Sequence, residues 1–202
     1  MAKKPDPVQR IVDAAFSLAA ERGWRSTTLA DIAEAAGMSL AELYRHVAGR
    51  SDIVAALSRL TDAKVLAGGT ADMDERPRDR LFDVLMRRFD ALAPYKEGLR
   101  AIWTEARMDP VSALSSLPHL KRSMGWMLEA AGIRSAGFTG MVQVRGLAAV
   151  WLSVLDTWFQ DDSEDLAKTM AALDSRLRQA EEIWATVRRP FGAMRRPEAP
   201  AA

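Results

Sequence analysis

The chain has 202 residues, 49% of them hydrophobic, with 28 Lys or Arg against 27 Asp or Glu for a formal net charge of +1, and no cysteine. That apolar share at this length supports a real buried core, as one large domain or a small one beside a larger one. Lack of cysteine excludes disulfides, thiolate metal sites and cysteine nucleophiles, and the near-neutral balance supplies no global basic field. Helix formers outnumber β-branched residues, and no stretch alternates apolar and polar residues long enough for a strand, so an all-α fold is expected. The start, MAKKPDPVQR, has no apolar leader. No run approaches ~18 uninterrupted apolar residues, which points to a cytoplasmic protein without stable membrane insertion.

In chain order, residues 1–5 read as a mobile arm and residues 6–22 as a first helix with Pro7 in its first turn and Gly23 as its stop. Val8, Ile11, Val12, Ala15 and Phe16 mark its core face. Thr28 with Asp31, then Ser39 with Glu42, are two capping-box starts three residues apart, separated by Gly37. Leu29, Ile32, Ala33 and Ala36 give the first of these helices its apolar side, and Leu40, Leu43, Tyr44 and Val47 the second. Two short capped helices around a glycine turn make a helix-turn-helix, whose second helix is the one built to enter a major groove. Charge does not point the same way: residues 1–60 carry eight Lys or Arg against seven acids, a net of +1, where a DNA-binding module usually concentrates positive charge.

Ser51 is placed to cap a fourth helix running to Gly68-Gly69, and GGTADMDERP over residues 68–77 reads as a hinge. Beyond it, Leu81, Leu85, Phe89 and Leu92 form a helical stripe stopped by Pro94, and a further helix covers residues 95–108. Residues 110–131 continue in helical period with a kink or break expected at Pro118. Two long helices follow, about residues 138–160 and 164–188. The second has a 4-3 seam through Leu166, Met170, Leu173, Leu177, Ala180, Trp184 and Val187, and Pro190 closes it before a basic, proline-rich tail. The domain division is 1–50, a helix-turn-helix domain; 51–75, connecting helix and hinge; 76–190, a larger helical domain; and 191–202, the tail.

The order of elements and the motif residues together resemble the TetR family of transcriptional regulators. The resemblance is carried by Arg10-Ile11-x-x-Ala14-Ala15-x-x-Leu18 and Glu21-Arg22-Gly23-Trp24. It continues through Thr28-Leu29-x-x-Ile32-Ala33-x-x-Ala36-Gly37-Met38-Ser39 and Leu43-Tyr44-Arg45-His46-Val47, about a quarter of the chain. It implies an N-terminal three-helix DNA-binding domain, a C-terminal helical domain for ligand binding and dimerisation, and a homodimer made through the last two long helices. It also implies a repressor released from a double-stranded DNA operator by a hydrophobic small molecule; with two histidines, no cysteine and no glycine-rich phosphate loop or metal spacing, no cofactor, metal or enzymatic activity is expected. A second, looser resemblance of residues 85–95, 117–119 and 145–177 is to ubiquinone-biosynthesis lipid-binding proteins that share the TetR fold and have lost DNA binding.

Carried over residue by residue, the family's DNA contacts fall on Thr28, Tyr44 and His46 for phosphates, with Arg50 a fourth, and on Leu40, Ala41 and Arg45 near base edges. The plain alternatives are a cap for Thr28, a packed ring for Tyr44 and solvated charges for both arginines. Glu42 departs from the family. As the third helical residue it can fold back onto the Ser39 backbone N–H, or it can accept from a cytosine amino group. A ligand pocket is expected among the soft side chains Met86, Phe89, Trp103, Met124, Met127, Met141 and Trp151, although such a stripe is also what an ordinary core looks like. The dimer interface is expected at Trp158, Met170, Leu173, Leu177 and Trp184.

Overall fold

The computed structural model describes residues 6–69, 71–108 and 116–193, with side chains described as far as Trp184. The expected arm at 1–5, the start of a helix at 110 and the end of the tail lie outside these residues. Nine α-helices and one 3-10 turn account for the regular structure described, with no strand.

Helix α1, Pro7–Arg22, starts where Asp6 accepts the backbone N–H of Val8 and Pro7 takes the first helical position, where a missing N–H costs nothing. Ile11, Val12, Ala15, Phe16 and Ala19 form its buried face. Helices α2, Leu29–Ala35, and α3, Leu40–Tyr44, lie either side of Gly37, whose φ of 64° lies in the left-handed region that glycine adopts without steric cost. Helix α4, Arg50–Ala67, begins one residue before the expected Ser51 cap: Gly49 is the N-cap and makes no side-chain bond, while Asp52 accepts from the Ala48 N–H.

The stop expected at Pro94 falls where helix α5, Pro77–Leu92, ends, and the chain passes through the 3-10 turn Ala93–Tyr95 directly into α6, Lys96–Met108. Pro118, where a kink or a break was expected, sits in the first turn of α7, Leu117–Ala130, where its ring and absent N–H are tolerated.

Residues up to Ala148 form one compact unit. Within it α1 packs on α2, α4 and α6, and α4 packs on α5 and α7. The hinge expected over 68–77 therefore joins helices of a single unit, and the division by contacts falls between Ala148 and Ala149. Two features fix the α1–α6 junction. Gly98 on α6 is buried against the Phe16 backbone, where a Cβ would collide with the carbonyl oxygen and come within 3.1 Å of Cα. The Tyr95 hydroxyl donates to Asp13 Oδ1 at 2.7 Å and accepts from Gln9 Nε2 at 2.7 Å, tying the 3-10 turn to α1.

Burial, then the neighbouring Asp13 carboxylate, pushes the Tyr95 phenol up to about 12. A raised folded-state pKa favours the neutral phenol, so its contribution to stability is complete below about pH 10 and is lost between about 10 and about 12. The chain has two tyrosines, so tyrosinate absorbance in a Tyr44→Phe background reads Tyr95 alone. Its midpoint is expected near 12, and a midpoint near 10 would remove this tie from the account.

The second unit contains the C-terminal half of α8, Gly137–Phe159, and all of α9, Ala167–Ala193. Helix α9 starts later than expected because Asp161, 1% exposed, organises the preceding loop. It accepts from the Ser163 N–H and hydroxyl and, at 2.8 and 2.7 Å, from the N–H and hydroxyl of Thr169. Burial works against the Asp161 charge, yet these bonds outweigh it and hold the carboxyl well below the usual carboxylate range. The α9 backbone continues past Pro190, which was expected to close it.

Candidate nucleic-acid interface

The helix-turn-helix is built from its caps inward. Thr28 accepts the Asp31 N–H at 3.2 Å while Asp31 accepts the Thr28 N–H at 2.8 Å, a complete capping box, and Arg22 pairs with the same carboxylate at 2.7 Å. Ser39 accepts the Glu42 N–H at 3.1 Å, so the second box is made in one direction. The Glu42 side chain pairs instead with Arg10 of α1, Nη2 to Oε1 at 3.8 Å. The first of the two sequence-level roles for Glu42 is thus replaced by an ion pair to a neighbouring helix.

Leu43 and Val47 anchor α3 and its exit in the core at 1% and 3% exposure. The opposite side is open: Leu40 at 52% and Tyr44 at 78% stand beside exposed Ala41 and Arg45. These four positions recur at one-residue and four-residue steps and so share one helix face. His46 is half-buried on the flank, and Thr28 is exposed at the α2 N-terminus. Six of the seven expected DNA-facing residues therefore lie on or beside the exposed surface of α2 and α3.

Arg50 does not join them. Its Nη1 donates to the carbonyls of Trp24 at 2.8 Å and Thr27 at 3.1 Å, and its guanidinium stacks on the Trp24 ring at 5.3 Å. The expected phosphate contact is corrected to an internal clamp that fixes the start of α4 to the loop before α2. Trp24 in turn stacks on Phe16, ring centroids 6.3 Å apart. Adjacent loop carbonyls were the missing signal, since acceptors of that kind have no sequence signature.

The expected ligand residues divide by depth. Phe89 on α5, Met124 and Met127 on α7, and Trp151 on α8 are buried; Met86 and Trp103 are half-buried; Met141 is 42% exposed. A described cleft of about 440 Å³ lies elsewhere, lined by Gly68, Ala71, Asp72, Glu75, Asp79, Phe82, Asp83 and Arg87. It contains none of the seven, and its acidic wall does not suit a hydrophobic molecule.

The expected dimer residues are corrected in part. Trp158 at 0%, Leu173 at 0% and Leu177 at 4% are already covered by their own chain and present no surface to a second copy. Met170 and Trp184 are half-buried and retain some. The 4-3 seam gave the periodicity of α9 and not its direction, because a core stripe and an interface stripe share the same spacing.

A two-unit helical protein with an exposed, capped helix-turn-helix near its N-terminus is the class that this geometry defines, and it has the fold of TetR transcriptional regulators. Residues 11–57 match the family model of bacterial regulatory proteins, tetR family. Among solved structures, the chain is similar to a TetR transcriptional regulator from Nitrosomonas europaea: TM-score 0.68 and 24% identity, over 87% of this chain and 99% of that one. A TetR transcriptional regulator from Rhodococcus sp. RHA1 gives 0.64 and 20%, over 86% and 94%. Thermus thermophilus FadR, a TetR family repressor in complex with lauroyl-CoA, gives 0.53 and 21%, over 96% and 98%. No curated protein matches the chain. The looser resemblance to ubiquinone-biosynthesis proteins has no counterpart in these comparisons.

Proposed function

We propose that this chain is a cytoplasmic, dimeric DNA-binding transcriptional regulator of the TetR type, a repressor released from its operator by a hydrophobic small molecule. The observation that carries the reading is the exposed α3 face of Leu40, Ala41, Tyr44 and Arg45 within the segment that matches the tetR family. The Tyr44 ring, 78% exposed, offers its phenol hydroxyl to a phosphate oxygen.

Dimerisation is supported by α8. It is apolar enough to cross a membrane by length and composition, with a mean hydropathy of 1.4, yet only 28% of that window is buried. Phe138 is 77% exposed at its N-terminal end. The large α8 side chains Leu147, Val150, Trp151, Val154, Trp158 and Phe159 are buried, and the apolar surface left at Phe138 and Met141 is what a second copy would cover. Operator half-sites spaced by one helical turn would then meet two copies of α3. The fold shared with FadR and the soft residues of α5 to α8 support a hydrophobic ligand.

Selection of duplexes from a randomised pool, followed by affinity measurement on the selected sequence, tests the reading. Tyr44→Ala is expected to weaken binding at least about tenfold, the cost of losing a hydrogen bond to a charged oxygen. Failure of the wild-type protein to enrich any sequence would end it.

A further inference from the structure

We infer that Arg10 is the residue that positions the DNA-facing helix and screens Glu42 from the phosphates. This rests on the DNA-binding reading above. Helix α3 spans five residues, Leu40–Tyr44, far below the length at which a helix stands alone, so its orientation depends on what holds it from outside. Its apolar anchors are Leu43 and, just beyond its end, Val47. One polar group adds to them from another helix. Arg10 of α1 donates through Nη1 to the Ala36 carbonyl at 3.0 Å, at the C-cap of α2, and pairs through Nη2 with Glu42 of α3. A single guanidinium therefore touches both halves of the helix-turn-helix across the Gly37 turn.

The position of Glu42 gives this contact a second role. At 3.6 residues per turn, Glu42 lies roughly 60° round α3 from Arg45, at the edge of the exposed face. Its side chain is 43% exposed. Left alone, it would stand beside a surface that has to approach phosphates, in a domain with a net charge of only +1 over residues 1–60. Pairing with Arg10 draws it toward α1 and offsets its charge. Exposed ion pairs at this separation add little to stability, so the effect belongs to binding.

The test uses the full chain and a duplex that the wild-type protein has selected from a randomised pool, with affinity measured at low and high salt. Arg10→Met is expected to weaken binding roughly three- to tenfold at low salt, and less at high salt, because an uncompensated carboxylate repels phosphates over a screened distance. Arg10→Met with Glu42→Gln is expected to recover most of the loss, the remainder being the tie from Arg10 to the Ala36 carbonyl, which the second change does not restore. Arg100→Met removes the same charge from exposed α6 and is expected to leave affinity within about twofold. If the double variant binds as weakly as Arg10→Met, or Arg100→Met weakens binding equally, the screening role is overturned. Should Arg10→Met fail to fold, Glu42→Gln alone decides: tighter binding with a steeper salt dependence supports the role, and weaker binding overturns it. A wild-type protein that selects no duplex would overturn the DNA-binding reading itself, an outcome visible before any variant is made.

Discussion

Replacing Arg88 by Met is expected to lower the midpoint of thermal unfolding by roughly 10 °C at fixed protein concentration. Arg88 on α5 is 3% exposed and donates to Asp62 of α4 and, at 3.2 Å, to Ser58 of α4. Asp62 also accepts the Ser123 hydroxyl of α7 at 2.6 Å, so three helices meet at one carboxylate. Burial pulls the Arg88 pKa down and the Asp62 charge opposes it, the balance of a buried pair in which each ion makes the other tolerable. Removing one partner leaves the other charge buried, at a cost of about 3–5 kcal/mol. For a chain of this size each kcal/mol moves the midpoint by about 2–4 °C. A joint replacement, Arg88→Met with Asp62→Leu, removes both desolvation costs and is expected to recover most of the loss. A midpoint for Arg88→Met within about 2 °C of wild type would show that the pair does not hold α4, α5 and α7 together.

That network also marks where sequence reading runs out. The helices were legible because their signals are local: Thr28 and Asp31 lie three residues apart, and Gly37 follows a periodic run. The exposed face of α3 was legible only through the family resemblance: periodicity grouped Leu40 and Tyr44 with Leu43 and Val47 as one apolar side, yet the first two are exposed and the last two buried. Arg50, Glu42 and Arg88 were not legible, because their partners lie 23 to 32 positions away in the chain and a side chain's choice of partner has no period. Arg50 reads equally well as a phosphate contact or a solvated charge until the Trp24 and Thr27 carbonyls are placed beside it. Trp158 and Leu177 show the same limit for apolar residues: spacing locates a stripe, and only packing shows whether the chain itself covers it. Pro118 left two readings open. A proline in a periodic run can kink a helix or begin one, and the deciding fact is where the first turn lies.

A single added methyl group at Gly98 is expected to have a large effect. Glycine in a helix interior is disfavoured against alanine by about 0.8–1.0 kcal/mol, so Gly→Ala at an open helical position stabilises. At Gly98 the added Cβ collides with the Phe16 carbonyl, and the obstacle is backbone, which cannot rotate aside as a side chain would. Overpacking a close contact costs about 1–3 kcal/mol, more than the propensity gain returns, so Gly98→Ala is expected to destabilise and Gly98→Val to do so further. Gly125 in α7 provides the contrast: a Cβ there meets nothing nearer than 3.9 Å, and Gly125→Ala is expected to be neutral or stabilising. Denaturant midpoints of the three variants decide the matter through their signs. The consequence reaches the DNA-facing helix, because α1 carries both Phe16, on which Gly98 rests, and Arg10, which holds Ala36 and Glu42. If α6 is pushed off α1, the strain falls on the helix that orients α3, and Gly98→Ala should weaken DNA binding where Gly125→Ala does not. Equal affinities for these two variants would separate the α1–α6 packing from the placement of α3.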